Sequence, residues 1–270
     1  MTATATTGQV VETRPAAVPG GLRTTAATAG RVLRQLRHDP RTIAMLLVVP
    51  AALLGLLYLL WRDLPTIPGQ QSLFDQVGLT MIGIFPFIVM FLITSIAMLR
   101  ERTSGTLERL LTTPLSKPAL LAGYGLAFGA AATLQALVTV AVAIWGYGLD
   151  VAGSPGLVVL IAVVDAVLGV ALGLLASAFA RSEFQAVQFM PVVVFPQFFL
   201  CGLLLARDQM ADWLRYLSDV LPLTYAVEGL QEVGRSATAT GTMWRDVGIV
   251  AGIAVLALAL GAATLRRRTN

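Results

Sequence analysis

The chain has 270 residues, of which 56% are hydrophobic and only 13% charged, with a mean hydropathy of +0.78. A soluble domain is nearer a quarter charged, so the composition points to an integral membrane protein. One cysteine, Cys201, and one histidine, His38, exclude an intrachain disulfide, a cysteine or histidine metal site and a Ser-His-Asp triad; the net charge of +4 is read as a distribution across a bilayer, not as a nucleic-acid signal.

Residues 1–21 are Thr, Ala, Gly and Pro with little to pack, and a disordered cytoplasmic tail is expected there. The first apolar run begins only near Thr42, so no cleaved leader is expected. Residues 22–41 read as an amphipathic segment. Val32, Leu33 and Leu36 form an apolar edge, while Arg31, Arg34 and Arg37 project elsewhere, a pattern suited to a helix on an anionic leaflet. Residues 42–270 then hold six stretches that pass the length test for spanning a bilayer, at 42–60, 79–99, 119–144, 157–180, 184–206 and 247–265. With both termini inside, roughly 14 basic residues are cytoplasmic against about five outside, which sets the orientation.

Between the second and third spans lies the charged run RERTSGTLERLLTTPLS, 100–116. Gly105 permits a break as the chain leaves the membrane, and Pro114 stops whatever helix follows. A short helix over 106–112 would align Leu107, Leu110 and Leu111 at i, i+3, i+4, flanked by Glu108 and Arg109. So short a helix needs a surface to lie on; the alternative is a solvated loop. The outer connectors 61–78 and 146–156 are short and rich in turn residues. Residues 207–244 differ. Met210, Trp213, Leu214 and Leu217 share one helical face, and Pro222 opens LTYAVEGLQEV, too short and too charged to span. A re-entrant helical pair covered by protein suits this pattern better than an exposed loop.

Within the spans, Asp165 stands out, since a mid-span Asp costs about 2.5 to 3.5 kcal/mol on insertion scales. Asp165, Gly169, Gly173 and Ser177 recur every four residues, placing the carboxylate on a small-residue face suited to close helix contact. The third span carries its own pair, Gly125 and Gly129, and at matching depth Gln135 and Thr139 share a face. A hydrogen bond from one of them to Asp165 is expected; a proton or substrate site is the other reading. Prolines at 50, 86, 191 and 196 remove amides and kink three of the spans. Phe85, Phe87, Met90, Phe91, Met190, Phe195, Phe198 and Phe199 suit a greasy, adaptable cavity, though such residues also face lipid or core.

Four segments carry a family resemblance: HDPRT at 38–42, RERTSGTLERLLTTPLS at 100–116, EFQAVQFMPVVVFPQFFLCGLLL at 183–205 and LPLTYAVEGLQ at 221–231. In order and spacing the chain resembles the membrane subunit of type-2 ABC exporters, particularly the daunorubicin-resistance-type permeases, over nearly everything from Arg31 onward. The resemblance implies an all-α, six-span subunit of the plasma (inner) membrane that pairs with a second copy or a paralogous permease. It implies two separate ATPase subunits per complex, with Leu107, Glu108, Arg109, Leu110 and Leu111 on a coupling helix and Arg31, Arg34 and Arg37 on a connecting helix. It also sets the second and fifth spans along a central cavity, which favours a lining role for Phe85, Phe91, Met190, Phe195, Phe198 and Phe199. No GxxxxGK[ST] phosphate loop is present, and the one lysine, Lys117, follows Leu115 and Ser116. ATP and magnesium are therefore expected on the partner, and no cofactor, metal or covalent chemistry in this chain. The expected function is ATP-driven export of a lipophilic drug, antibiotic or lipid. A polysaccharide exporter, which would want polar groups along a channel, and a proton-coupled transporter using Asp165 are the rivals.

Overall fold

The computed structural model describes residues 21–65, 71–104 and 117–264, and every regular element among them is helical. The expected N-terminal tail and the expected coupling helix, with Leu107, Glu108, Arg109, Leu110 and Leu111, lie outside the described residues. The helices are α1 (Gly21–Arg37), α2 (Pro40–Trp61), α3 (Leu73–Thr103), α4 (Lys117–Ala141), α5 (Pro155–Ala176), α6 (Glu183–Leu200), α7 (Asp212–Val220), α8 (Pro222–Arg235) and α9 (Gly241–Thr264). One π-helical turn, Val142–Gly146, extends α4. The helix starts are written locally. Asp39 caps α2 with Pro40 behind it, Ser72 and Asp75 close a capping box on α3, and Ser154 and Ser182 cap α5 and α6.

Among the described residues five segments are long and apolar enough to cross a membrane: α2, α3, α4 with its π turn, α5 and α9. The fifth expected span falls short of them. It stops at Leu200, six residues before the expected end, and the chain then turns through Gly202 at φ +93°. Its 18 residues reach about 27 Å, a little under the ~30 Å hydrocarbon thickness. Glu183, Gln185 and Gln188 also make its first turns polar.

The core is built on α3 and α5. Buried residues make up 61% of the apolar window of each, against 22% in α2 and α9. The two helices run parallel in register. A Cβ on Gly169 would meet the Phe87 carbonyl oxygen at 2.4 Å, and one on Gly173 the Phe91 carbonyl oxygen at 2.5 Å. One step earlier on the same ladder, a Cβ on Gly83 would lie 3.5 Å from Asp165 Oδ2. The small-residue face of α5 is thus spent on α3, not on the glycines of α4. Gly129 meets α5 only loosely, with Val167 Cγ2 3.9 Å from its missing Cβ.

α1 folds back against α4, where Gly123 makes room for it: a Cβ there would sit 2.6 Å from Thr28 Cβ. Thr25 Oγ1 donates to the Ala119 carbonyl at 3.2 Å. The buried face of α1 is Thr28 and Val32, whereas Leu33 is exposed. The expected outward projection of all three arginines is corrected here. Arg34 and Arg37 are exposed, but Arg31 turns inward, donating to Glu101 Oε1 at 3.0 Å and to the Tyr124 hydroxyl at 2.5 Å.

Candidate functional site

Two polar constellations sit on this scaffold, one buried at the centre and one at the α6–α9 end. At the centre, Asp165, Gln135 and Thr139 are all fully buried. The expected hydrogen bond between them is not made: both Asp165 oxygens, both Gln135 amide atoms and Thr139 Oγ1 have no partner. The cause is the rotation of α5 just described. Its glycines bring that face onto the α3 backbone, and Asp165, on the same face, is turned to Gly83 with Leu230 of α8 beyond it. Asp165 remains inside the bundle, away from lipid, as a carboxyl group without a hydrogen bond.

A prediction follows from this contact. Asp165→Asn keeps the shape and breaks no hydrogen bond, so it should change stability by no more than the about 1 kcal/mol of an intramembrane polar contact. Asp165→Leu should cost more, because Gly83 leaves little space before Leu230. Thermal unfolding and monodisperse yield in detergent measure both. Loss of transport by a stable Asp165→Asn protein would replace the structural role with a proton or substrate site.

The second constellation was missed by sequence reasoning. Gln197 on α6 is buried, donates to the Val193 carbonyl at 2.9 Å and accepts from the Leu223 amide at 3.2 Å, stitching α6 to the start of α8. Buried Ser218 donates to the Leu200 carbonyl at 2.8 Å and lies 3.2 Å from Thr224 Oγ1. Over these sits a cluster of charges. Arg207 pairs with Asp219 of α7 and, at 2.6 Å, with Glu228 of α8. Arg245 of α9 lies 2.7 Å from the buried carboxylate of Asp246 and 3.7 Å from Glu228. The charges come from separate helices and the turn at Arg207, so nothing in the residue pattern joined them.

α8 is itself enclosed. Gly234 would clash with Leu79 Cδ2 at 2.6 Å if it carried a Cβ, and Gly229 touches Ile161 of α5 and Asp246 of α9. Gln231 donates to Thr80 Oγ1 at 3.3 Å, and Gln71 donates to the Gly234 carbonyl at 2.7 Å. α7, by contrast, leaves Trp213, Tyr216, Leu217 and Val220 exposed along one stripe.

This bundle of long apolar helices with an enclosed short helix before the last has a match among known families: the description ABC-2 type transporter fits residues 24–233. The chain belongs to the ABC-2 type transporter family. It is therefore a multi-pass membrane protein with an ABC transporter permease domain. Among curated proteins it is 26% identical over 168 residues to the probable multidrug ABC transporter permease YbhR of Escherichia coli (strain K12), covering 62% of this chain and 46% of that one. It is also 28% identical over 171 residues to ABC transporter G family member 20 of Dictyostelium discoideum, covering 63% of this chain and 23% of that one. The chain thus matches less than half the length of these relatives.

Within this ABC-2 type domain the aromatic candidates divide. Phe91 is fully buried, as are Phe87 and Met90. The backbone of Phe87 and Phe91 meets α5 at Gly169 and Gly173. Phe85, Met190 and Phe198 pack at the edge of the same core. Phe195 and Phe199 are about half exposed, with ring centroids 6.2 Å apart, and Phe198 meets Phe199 at 5.4 Å. Among the described residues no three His, Cys, Asp or Glu side chains gather as a metal site.

Proposed function

We propose that this chain is the transmembrane subunit of an ATP-driven exporter of a lipophilic molecule, powered by a separate ATPase subunit. The observation that carries this reading is the family match over residues 24–233 on a chain without a phosphate-binding loop of its own. The relative named a probable multidrug permease supports a lipophilic cargo. So do the spans, whose aromatic and aliphatic side chains offer a polar polymer no continuous polar channel. In this reading α6 is a sixth, short span and both termini are cytoplasmic. α7 and α8 form the re-entrant pair, and two copies stand over two ATPase subunits. The half-exposed Phe195 and Phe199 would then face the cavity between the copies. A proton-coupled transporter is the second reading, resting on the unpartnered carboxylate of Asp165.

The test is a complex purified with its ATPase and screened for ligands that stimulate ATP hydrolysis. Leu110→Asp should abolish ATPase association while leaving membrane insertion intact. A carboxylate in the partner's groove costs several kcal/mol, on the order of ~2–4 kcal/mol for an interface hot spot. Normal association and stimulated hydrolysis in that variant would remove the 106–112 segment from coupling. Transport that continues without the ATPase but collapses with the proton gradient would select the second reading.

A further inference from the structure

A cavity of about 520 Å³ lies under the elbow between α1 and α2, apart from both polar constellations. Its size suits a small molecule, since such sites run about 300–1,000 Å³. Its walls are graded. Along α3 the lining runs from Leu92 through Ile96 to Arg100 and Ser104, about 18 Å of helix. Met45, Leu92, Ile93 and Phe128 make the far end apolar, and Gln35, Asp39, Arg100 and Glu101 make the near end polar. Met45, on the outer side of α2, is 56% exposed, so the apolar end opens sideways, towards lipid.

The charges at the polar end do not cancel. Arg100 is held by both oxygens of Glu183, at 2.8 and 3.0 Å. Glu101 holds Arg31 through Oε1, while its Oε2 has no hydrogen bond. Among the described residues Asp39 accepts from neutral donors, the Thr42 hydroxyl at 2.7 Å, the Thr42 amide at 3.2 Å and the Arg41 amide. Those hydrogen bonds hold its carboxyl below the usual carboxylate range, so it is ionised at neutral pH, and Arg100 acts on it from beyond ion-pair distance. Among the described residues, the lining therefore keeps a carboxylate with no ion pair of its own. Arg34, Arg37 and Arg41 are exposed and are not part of the lining.

We propose that this cavity binds an amphiphile with an ammonium head, the head beside Asp39 in the field of Glu101 and the tail along α3 towards Leu92 and Phe128. The inference rests on the reading above only in placing α1 and this end of α3 at the cytoplasmic face. Two sources share the chemistry: a free lipophilic amine, or an aminophospholipid of the inner leaflet.

The permease alone, in nanodiscs, is enough to test it, so failure here leaves ATP-driven export untouched and failed coupling leaves this site untouched. An Ile96→Cys variant on a Cys201→Ala background reports occupancy through its rate of alkylation by N-ethylmaleimide. In phosphatidylglycerol nanodiscs dodecylamine should slow alkylation saturably, while dodecanol and dodecanoate should not. If phosphatidylethanolamine alone slows it equally, the lipid is the occupant; if dodecylamine is still needed there, the free amine is. Asp39→Asn should weaken protection about three- to fivefold, the range of a partly exposed charge pair. It should not unfold the elbow, because Asn caps a helix as well as Asp. Glu101→Gln should weaken protection about tenfold or more, as for a charged hydrogen bond, but it also loosens Arg31. Equal protection by dodecanol, or full protection of Asp39→Asn, overturns the proposal.

Discussion

Gly169→Val and Gly173→Val should each leave little folded protein, whereas Gly129→Val should be tolerated. The missing Cβ atoms of Gly169 and Gly173 would fall 2.4 and 2.5 Å from the carbonyl oxygens of Phe87 and Phe91. Those oxygens belong to helix backbone and cannot swing aside as a side-chain tip can. Relief requires α3 and α5 to separate, and they are the two most buried of the five long apolar segments. Overpacking a core costs about 1–3 kcal/mol where side chains can shift, and more where backbone must move. Small residues matter more in a bilayer, where close van der Waals packing drives helix association. Gly129 has only Val167 Cγ2, at 3.9 Å, near its missing Cβ. Monodisperse yield and unfolding temperature in detergent separate the cases. Parental unfolding by Gly169→Val would mean that α3 and α5 do not meet backbone to side here.

Five of the six expected spans were legible because an apolar run of some 20 residues has few other uses, whereas the caps at 39, 72 and 154 that set the helix starts were passed over. The four-residue spacing of Asp165, Gly169 and Gly173 also identified a contact face correctly. It did not say which helix would fill it. Both α3 and α4 carry glycine, and only the packed backbone decides for Phe87 and Phe91. The hydrogen bond expected from Asp165 to α4 failed for the same reason. Arg31 misled in another way: on a helical wheel it sits with Arg34 and Arg37, yet a long side chain at the edge of a buried face can reach inward to Glu101 and Tyr124. Buried Gln197 and the charges around Arg207 find their partners on other helices, Leu223, Asp219 and Glu228, and a periodic pattern within one helix does not say which helix it will meet.

Arg207→Ala should loosen α7 and α8 without disturbing the core of α3 and α5. Arg207 is the cation shared by Asp219 and Glu228, and its removal leaves two carboxylates beside the buried one of Asp246. Arg245 remains, but it is 3.7 Å from Glu228 and is committed to Asp246. The groups are partly exposed, Arg207 at 24% and Glu228 at 35%. The effect therefore falls between a solvent-screened pair and a broken buried one, about 1–3 kcal/mol. A second substitution tells charge from packing. If repulsion among carboxylates is the cause, Glu228→Gln in the Arg207→Ala background should recover much of the loss, although alone it removes a contact. Arg207→Lys should rescue poorly, because an ammonium cannot hold two carboxylates in the fork geometry of a guanidinium. Hydrogen exchange is the most direct readout: amides of α7 and of the first turn of α8 should exchange faster in Arg207→Ala, with α3 and α5 unchanged. A double-mutant cycle with no coupling between Arg207 and Glu228 would reduce the cluster to independent surface charges, and the hold on α7 and α8 would then pass to the neutral contacts of Gln197, Ser218, Thr224 and Gln231.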